Sequence, residues 1–469
     1  MIPGRRAPGG GFVGPAGGRR AGRSVAWALD VAPKARPSLP ASGLGRGWEP
    51  TILVGLVGAL FLFGLLTLHS ASSVMAQQAD LPHYHYVARQ GFGFAIGVAV
   101  MLVCARIPTE WWRRFAPHMM LGSAALLVVV ILPFTHAIAP EVNGARRWLR
   151  VGVNLQPSDP AKLAVVVWTA ALLVRKREQL GSLRRGLAPF LVGWACILLP
   201  VALEPDFSTA CLIAACGAIM VFVGGARIGH FILLGLILLP LAAPLLVSGY
   251  RAARWESLLL DPGAPAAGSA FQSYQSLVAI GSGGVTGVGF GEGRQKFGFL
   301  PEAHNDFIFA MIGEEWGFAG TLVVILCFLI LVFTGFRVAR QARDQFGEML
   351  ATGIASLIGL QAFLHIGVGL GVFPATGLSL PFISFGRTNL VVMLASVGIL
   401  LAVAREARRN DSDRLGPGAL AARGQNPPGI RTATHPSWPL RFTRPLCKVY
   451  ITLCNVCYTF CHSKAALCV

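Results

Sequence analysis

The sequence predicts an all-α polytopic membrane protein, with ten transmembrane helices and a large external loop between helices 7 and 8. Three observations lead there. The chain is 54% hydrophobic and only 13% charged, with a mean hydropathy of +0.61, whereas soluble domains carry about a quarter charged residues. Apolar runs close to the roughly 20 residues that cross a hydrocarbon core recur along it. Basic residues collect in alternate connections between those runs, as in loops retained on the cytoplasmic side.

Taken in chain order, residues 1–49 are rich in Gly, Pro, Arg and Ala without a hydrophobic period. They are expected to form a disordered, basic cytoplasmic tail and not a signal peptide, since no short apolar core with a small-residue cleavage site precedes residue 50. Residues 50–405 form the membrane domain, with spans expected near 51–70, 91–107, 118–135, 160–175, 187–203, 207–225, 231–249, 315–336, 350–371 and 385–404. Residues 406–469 are a second cytoplasmic tail, whose "CNVCYTFCHSKAALCV" has CxxC spacing but fits no zinc pattern. Cys104, Cys196, Cys211, Cys216 and Cys327 lie in apolar runs and read as small buried hydrophobes.

Loop charges orient the bundle. Arg106, Arg113 and Arg114, then Arg175 to Arg185, Arg227, Arg337 to Arg343 and Arg405 to Arg409 fall on one side with the basic N-terminal tail. That side is read as cytoplasmic, with both termini inside. The net charge of +19 is then largely topology, and nucleic-acid binding is not needed to explain it. One connection runs against the rule: residues 136–159 place Arg146, Arg147 and Arg150 outside. The longest external connection is 250–314.

Four polar stretches share the external face. In "LPEAHNDFIFA", Glu302, His304 and Asp306 precede an apolar helix. A carboxylate in a partly dehydrated pocket has a raised pKa, which suits a general base; Asp306 is equally placed to cap the helix. Glu302, His304 and Lys296 are candidate substrate-binding residues, the first two otherwise holding the loop, and Glu314 and Glu315 are expected to support the loop or a partner contact. The loop glycines between 281 and 293 read as flexible re-entrant backbone. In "NGARRWLRVGVNLQPSDPAKLA", Arg146, Arg147 and Lys162 offer cations to an anionic headgroup such as a diphosphate. Ordinary phospholipid would serve equally, and Lys162 could instead pair with Asp159 or with an acid on another helix. In "LEPDFSTA", Glu204 and Asp206 read as a cap and a Pro turn. "TGLSLPFISFGRTN" breaks an apolar region, as backbone lining a cavity or packed in protein does. Together these stretches argue for one external cavity, compatible with an enzyme on a lipid-linked substrate, a transporter or a lipid-binding scaffold.

These stretches, with "YQSLVAIGSGGVTGVGFGEGRQKFGFLPEAHNDFIFAMIGEEWGF", occur in the order found in the SEDS family (shape, elongation, division and sporulation), which the chain resembles over roughly residues 50–405. "LPEAH" and the long basic tail look most like the division branch. The resemblance implies a peptidoglycan glycosyltransferase that polymerises lipid II at the outer face of the bacterial inner membrane, at the division septum. The family's functional carboxylate falls on Asp306, which would deprotonate the acceptor 4-hydroxyl. Arg146, Arg147 and Lys162 would meet the departing diphosphate, with a divalent cation (Mg2+ or Mn2+) as a candidate addition. Implied partners are a class B penicillin-binding transpeptidase, other division proteins and membrane lipids. A lipid II flippase and a non-catalytic scaffold for the transpeptidase are the alternatives. Three residues depart from the family pattern: Asn305 for Thr, Asp159 for Glu and Arg387 for a small residue.

Overall fold

The computed structural model describes residues 47–132, 135, 138–141, 146–151, 153–236 and 269–423. The basic tail before residue 47, most of the expected seventh span, the loop portion 250–268 and the cysteine-bearing stretch beyond 423 lie outside the described residues.

The fold is mostly helical. Helix α1 (Glu49–Gln78) opens with Glu49 and Pro50 in its first turn, where an acid meets the helix dipole and a missing N–H costs nothing. It is followed by α2 (His85–Arg106) and α3 (Thr109–Ile131). Helix α4 (Ser158–Lys176) starts just ahead of Pro160. The first four N–H groups of a helix have no intrahelical acceptor, so this proline is accommodated. Next come α5 (Ala188–Leu203) and α6 (Phe207–Val223), the latter capped by the Asp206 side chain, which accepts from the Thr209 amide at 3.3 Å. The capping expected of "LEPDFSTA" is found at Asp206. Residues 228–236 are also helical. After them stand α7 (Ser269–Gly283), α8 (Ile308–Gln341), α9 (Gln345–Gly369) and α10 (Arg387–Arg423).

Among the described residues, seven helices are long and apolar enough to cross a membrane: α1, α2, α3, α5 with its preceding turn, α8, α9 and α10 up to Arg409. Helix α6 is apolar but has 17 residues. Helix α4 carries Asp159, Lys162, Arg175 and Lys176 within its 19, which lowers its hydropathy although it is deeply packed. The chain is thus a multi-pass membrane protein. Helices α9 and α10 form the centre, with 72% of their apolar windows buried against 28% for α2 and α3. Leu62, Phe92, Leu121 and Leu329 project outward from the surrounding helices, as lipid-facing side chains do.

Three expectations need correction. The fold is not purely α: Leu149–Val151 (β1) pairs antiparallel with Val153–Leu155 (β2), in the register Leu149↔Leu155. The connection 250–314 is not all loop, because α7 occupies 15 residues of it and α8 begins at Ile308. The last helix runs to Arg423, past the expected boundary at 405.

The two ends of the bundle gather different chemistry. At one, Arg337 pairs with Glu49 at 2.9 Å, Arg405 donates to the Arg106 carbonyl, and Glu406 accepts from the Thr109 amide. At the other, Ser70 of α1 meets the 284–307 loop through Lys296. From Glu49 to Ser70 at the helical rise is about 30 Å, the thickness of a hydrocarbon core. The basic connections and the polar motifs therefore occupy opposite ends.

Candidate active site

The loop from Gly284 to Phe307 is built onto a break in α8. At Gly317 (φ 62°, ψ −162°) the helix ladder fails, and the loop supplies substitute bonds. Val288 and Gly289 amides donate to the carbonyls of Glu314 and Glu315 at 3.0 and 3.2 Å, while Phe318 and Ala319 donate to Gly284 and Val285. A β-carbon on Gly287 or Gly317 would collide with the opposing backbone, so at these two positions glycine serves close approach between two chains and not flexibility.

Asp306 stands two residues before α8 begins. Phe307, not Asp306, occupies the N-cap position, with no side-chain cap there. The turn beneath Asp306 is set by Glu302, whose carbonyl accepts from the amides of Asn305 and Asp306 at 3.0 and 3.1 Å. Glu302 itself sits at φ 55°, a conformation that costs a non-glycine residue energy and recurs at functional sites. Its side chain is exposed, and Asp306 is half-buried.

The segment 376–388 closes on this turn. Ser384 Oγ donates to the Asn305 carbonyl at 2.8 Å, and the Phe385 amide donates to the His304 carbonyl at 3.2 Å. Gln90 of α2 fixes the segment from behind: Nε2 donates to Ser384 O at 2.9 Å, and Oε1 accepts from the Gly386 amide at 3.3 Å. Gly377, at φ +69°, brings its backbone so near that a β-carbon there would lie 3.8 Å from Asp306 Oδ2. His304 is buried against Tyr86 and Phe385, with ring centroids 5.3 and 5.9 Å away. Burial holds its imidazole below the ordinary range, opposed by the Glu302 carboxylate, so it is a neutral wall of the site at pH 7.

Lys162, 3% exposed, is bound to Asp159 at 2.8 Å and approaches Gln361 Oε1 at 3.5 Å. Gln361 in turn donates to Ser379 O at 2.7 Å and to Asn389 Oδ1 at 3.1 Å. Of the two pairings open to Lys162 in the sequence, the structure has the one with Asp159, and that pair supports the strand of chain bearing Gly377. Arg147 donates Nε to the Glu204 carbonyl at 3.1 Å and Nη2 to the Pro205 carbonyl at 2.6 Å, so it ties the external arginine stretch to the α5–α6 turn. Arg146 is half-buried and makes no ion pair among the described residues. Both oxygens of Glu204 are buried without a hydrogen-bond partner there. Burial, reinforced by Asp206 and opposed by Arg147, pushes its carboxyl up to about 9.

Lys296 is buried and does not reach the Asp306 turn with its ammonium, which is engaged by Ser70, Glu315 and the Gly291 carbonyl. A polar cavity of about 470 Å³ lined by Ser282, Val288, Glu292, Arg294 and Glu314 contains none of the predicted site residues. No three His, Cys, Asp or Glu side chains converge as a metal-binding group among the described residues. Sequence reading missed Gln90, Ser384 and Ser70. Gln90 follows Arg89 just ahead of the expected span 91–107, so nothing local in the sequence set it apart from an ordinary polar residue at a span boundary.

The two departures nearest the site have places in it. Asn305 contributes its carbonyl to Ser384. Arg387 lies along α2, where a β-carbon on Gly93 would come within 3.2 Å of its Cγ. Thr388 beside it donates to the Asn154 carbonyl at 3.2 Å and joins the β-hairpin to α10.

A multi-pass bundle with a broken helix, a carboxylate on the turn leading into it and a second interrupted segment packed over that turn defines an integral-membrane protein with a polar site at one end. The chain belongs to the FtsW, RodA and SpoVE family of cell cycle proteins, whose family model matches residues 50–409. It is 39% identical over 353 residues to a probable peptidoglycan glycosyltransferase FtsW of Geobacter metallireducens, covering 75% of this chain and 93% of that protein. It is likewise 39% identical over 363 residues to the stage V sporulation protein E of Bacillus subtilis, covering 77% and 98%. Among solved structures, a chain of a peptidoglycan synthase complex that coordinates polymerization and crosslinking superposes with a TM-score of 0.62 at 26% identity, covering 78% of this chain and 99% of that one. The Thermus thermophilus rod shape determining protein RodA gives 0.56 at 25%, covering 78% and 98%.

Proposed function

We propose that this protein is a peptidoglycan glycosyltransferase that joins lipid II units into glycan strands at the outer face of the bacterial inner membrane, at the division septum. In this reading ten helices span the bilayer, both termini are cytoplasmic, and the Asp306 end of the bundle faces outward. The observation that carries it is the position of Asp306: half-buried on a fixed turn, with one carboxylate oxygen 3.8 Å from where a β-carbon on Gly377 would stand.

Asp306 acts as the general base. It takes the proton of the acceptor 4-hydroxyl as that oxygen attacks the donor's anomeric carbon, which inverts and releases undecaprenyl diphosphate. A positioned base of this kind contributes about 10²–10⁴-fold. Arg146 and Arg147 face the departing diphosphate, and exposed Glu302 contacts the sugar. Lys162 and His304 act on the walls of the site, and Lys296 acts through the loop. The partner is a single-span class B penicillin-binding transpeptidase, a reading supported by the likeness to a chain from a polymerization and crosslinking complex.

A flippase would bind its cargo near the bilayer midplane between alternating halves. Here the polar residues of the Asp306 turn sit at one end of the bundle, which favours the enzyme. Purified protein incubated with lipid II decides: glycan polymer from wild type and none from Asp306→Ala, with that variant still inserted and folded, is the expected result. Undiminished polymer from Asp306→Ala overturns the assignment, transbilayer movement without polymer makes the protein a flippase, and neither activity makes it a scaffold.

A further inference from the structure

We infer that Ser70, Lys296 and Glu315 form a buried latch that positions the Asp306 turn, making Lys296 and Glu315 positioning residues of the reaction and not contacts for substrate. This rests on the reading of Asp306 as the acting carboxylate.

The three side chains come from three separate parts of the fold: α1, the loop and the first turns of α8. Lys296 Nζ donates to Ser70 Oγ at 2.9 Å, to Glu315 Oε1 at 3.3 Å and to the Gly291 carbonyl, and Ser70 Oγ donates to the same Glu315 oxygen. Lys296 is 7% exposed and Glu315 2%. An ammonium buried to this degree, with all three donors spent, has nothing to offer a sugar or a diphosphate. The neighbouring acid completes the hold: Glu314 Oε1 accepts from the Arg294 amide at 2.7 Å and the Gln295 amide at 3.3 Å. Consecutive acids on α8 thus grip consecutive loop residues, one through backbone and one through a side chain.

The grip reaches Asp306 by a short path. The Leu300 amide donates to the Gln295 carbonyl at 3.0 Å, and Leu300 is buried with Ala71, Ala303, Phe307 and Met311 in a separate apolar cluster directly under the turn. Ala71 follows Ser70 on α1, so the latch and the platform share one helix. A buried ion pair contributes little net stability against an apolar replacement, yet removing one partner is costly because the other charge is stranded. A charged pair at this place is therefore better understood as fixing geometry.

The experiment uses the full chain in nanodiscs, with lipid II polymerisation kinetics and hydrogen exchange read on the same preparations of Lys296→Met, Lys296→Arg, Glu315→Gln, Ser70→Ala and the Lys296→Met/Glu315→Gln double variant. Lys296→Met should lower kcat by at least about tenfold while KM moves by less than about threefold, the signature of an interaction that matters in the transition state only. Lys296→Arg should restore most of that loss, and the double variant should be at least about fivefold more active than the product of the single losses requires, since neither charge is then stranded. Amides of 300–306 should exchange faster in Lys296→Met and Ser70→Ala, with α9 and α10 unchanged as the check on folding. A raised KM with unchanged kcat would place Lys296 on the substrate and overturn the latch, as would multiplicative losses or unchanged exchange at 300–306. Wild type that makes no polymer sinks the glycosyltransferase reading instead and leaves the latch to be judged on exchange alone.

Discussion

Gly377 and Asp306 meet across the site: a β-carbon on Gly377 would stand 3.8 Å from Asp306 Oδ2, and Gly377 holds φ at +69°. The space a side chain at 377 would fill lies between the two interrupted segments, which makes the glycine a steric gauge of the carboxylate's surroundings.

Gly377→Ala should therefore separate activity from folding. The added methyl has ordinary van der Waals room, but a left-handed conformation costs an L-residue about 1–2 kcal/mol. The segment is expected to shift and displace the surface facing Asp306, lowering polymerisation by at least about tenfold, since roughly 1.4 kcal/mol of lost transition-state stabilisation is a factor of ten. Thermal unfolding and glycan polymerisation on the same sample measure both.

The Asp159–Lys162 pair should behave as a unit. Both side chains are about 3% exposed and bonded at 2.8 Å. Lys162→Met strands the carboxylate and should destabilise the protein by about 3–5 kcal/mol, whereas Asp159→Asn with Lys162→Met should recover much of it. A double-mutant cycle on thermal unfolding is the measurement.

Glu204 gives a pH signature. Its carboxyl is raised to about 9 in the folded protein, so the folded state holds a proton that the unfolded chain releases near 4.5. This group's contribution is fully present below the unfolded value and is lost as pH rises through about 9. Stability should fall between pH 5 and 9 with a slope of up to about 1.4 kcal/mol per pH unit. Glu204→Gln should flatten that slope in melting curves taken across the range.

Arg387→Gly tests whether this departure from the family pattern touches the chemistry. The side chain packs on Gly93 of α2, so its aliphatic stem supplies packing. Polymerisation should stay within about threefold of wild type, with a stability change of about 1 kcal/mol or less, as for substitutions away from buried polar networks. Kinetics and melting of the variant check it.

Much of the site was legible before folding was considered. The break at "TGLSLPFISFGRTN" and the acid in "LPEAHNDF" stand out because polar and helix-breaking residues are costly in an apolar chain. Asp206 as a cap follows from local spacing, which also offered Asp159 as one of the two pairings open to Lys162; the structure chose it. What could not be read is which distant segments meet. Nothing local connects Ser70 with Glu315, or Gln90 with Ser384, across 245 and 294 residues. For the same reason Lys296 looked available to substrate. Its burial depends on α1, which lies more than 200 residues earlier.

By itself the sequence determined that this chain lies in a membrane, which connections share a side and which polar residues stand out. Hydropathy and the sign of loop charge are local quantities, and they suffice for that. Only the tertiary structure decided that Gly287 serves backbone docking onto a broken α8, that residues 269–283 of the 250–314 connection form α7, and that a β-carbon on Gly377 would point toward Asp306. Each of those depends on chain segments meeting far from their neighbours in sequence. There, packing and the need to satisfy buried polar groups choose among arrangements that local pattern leaves equal.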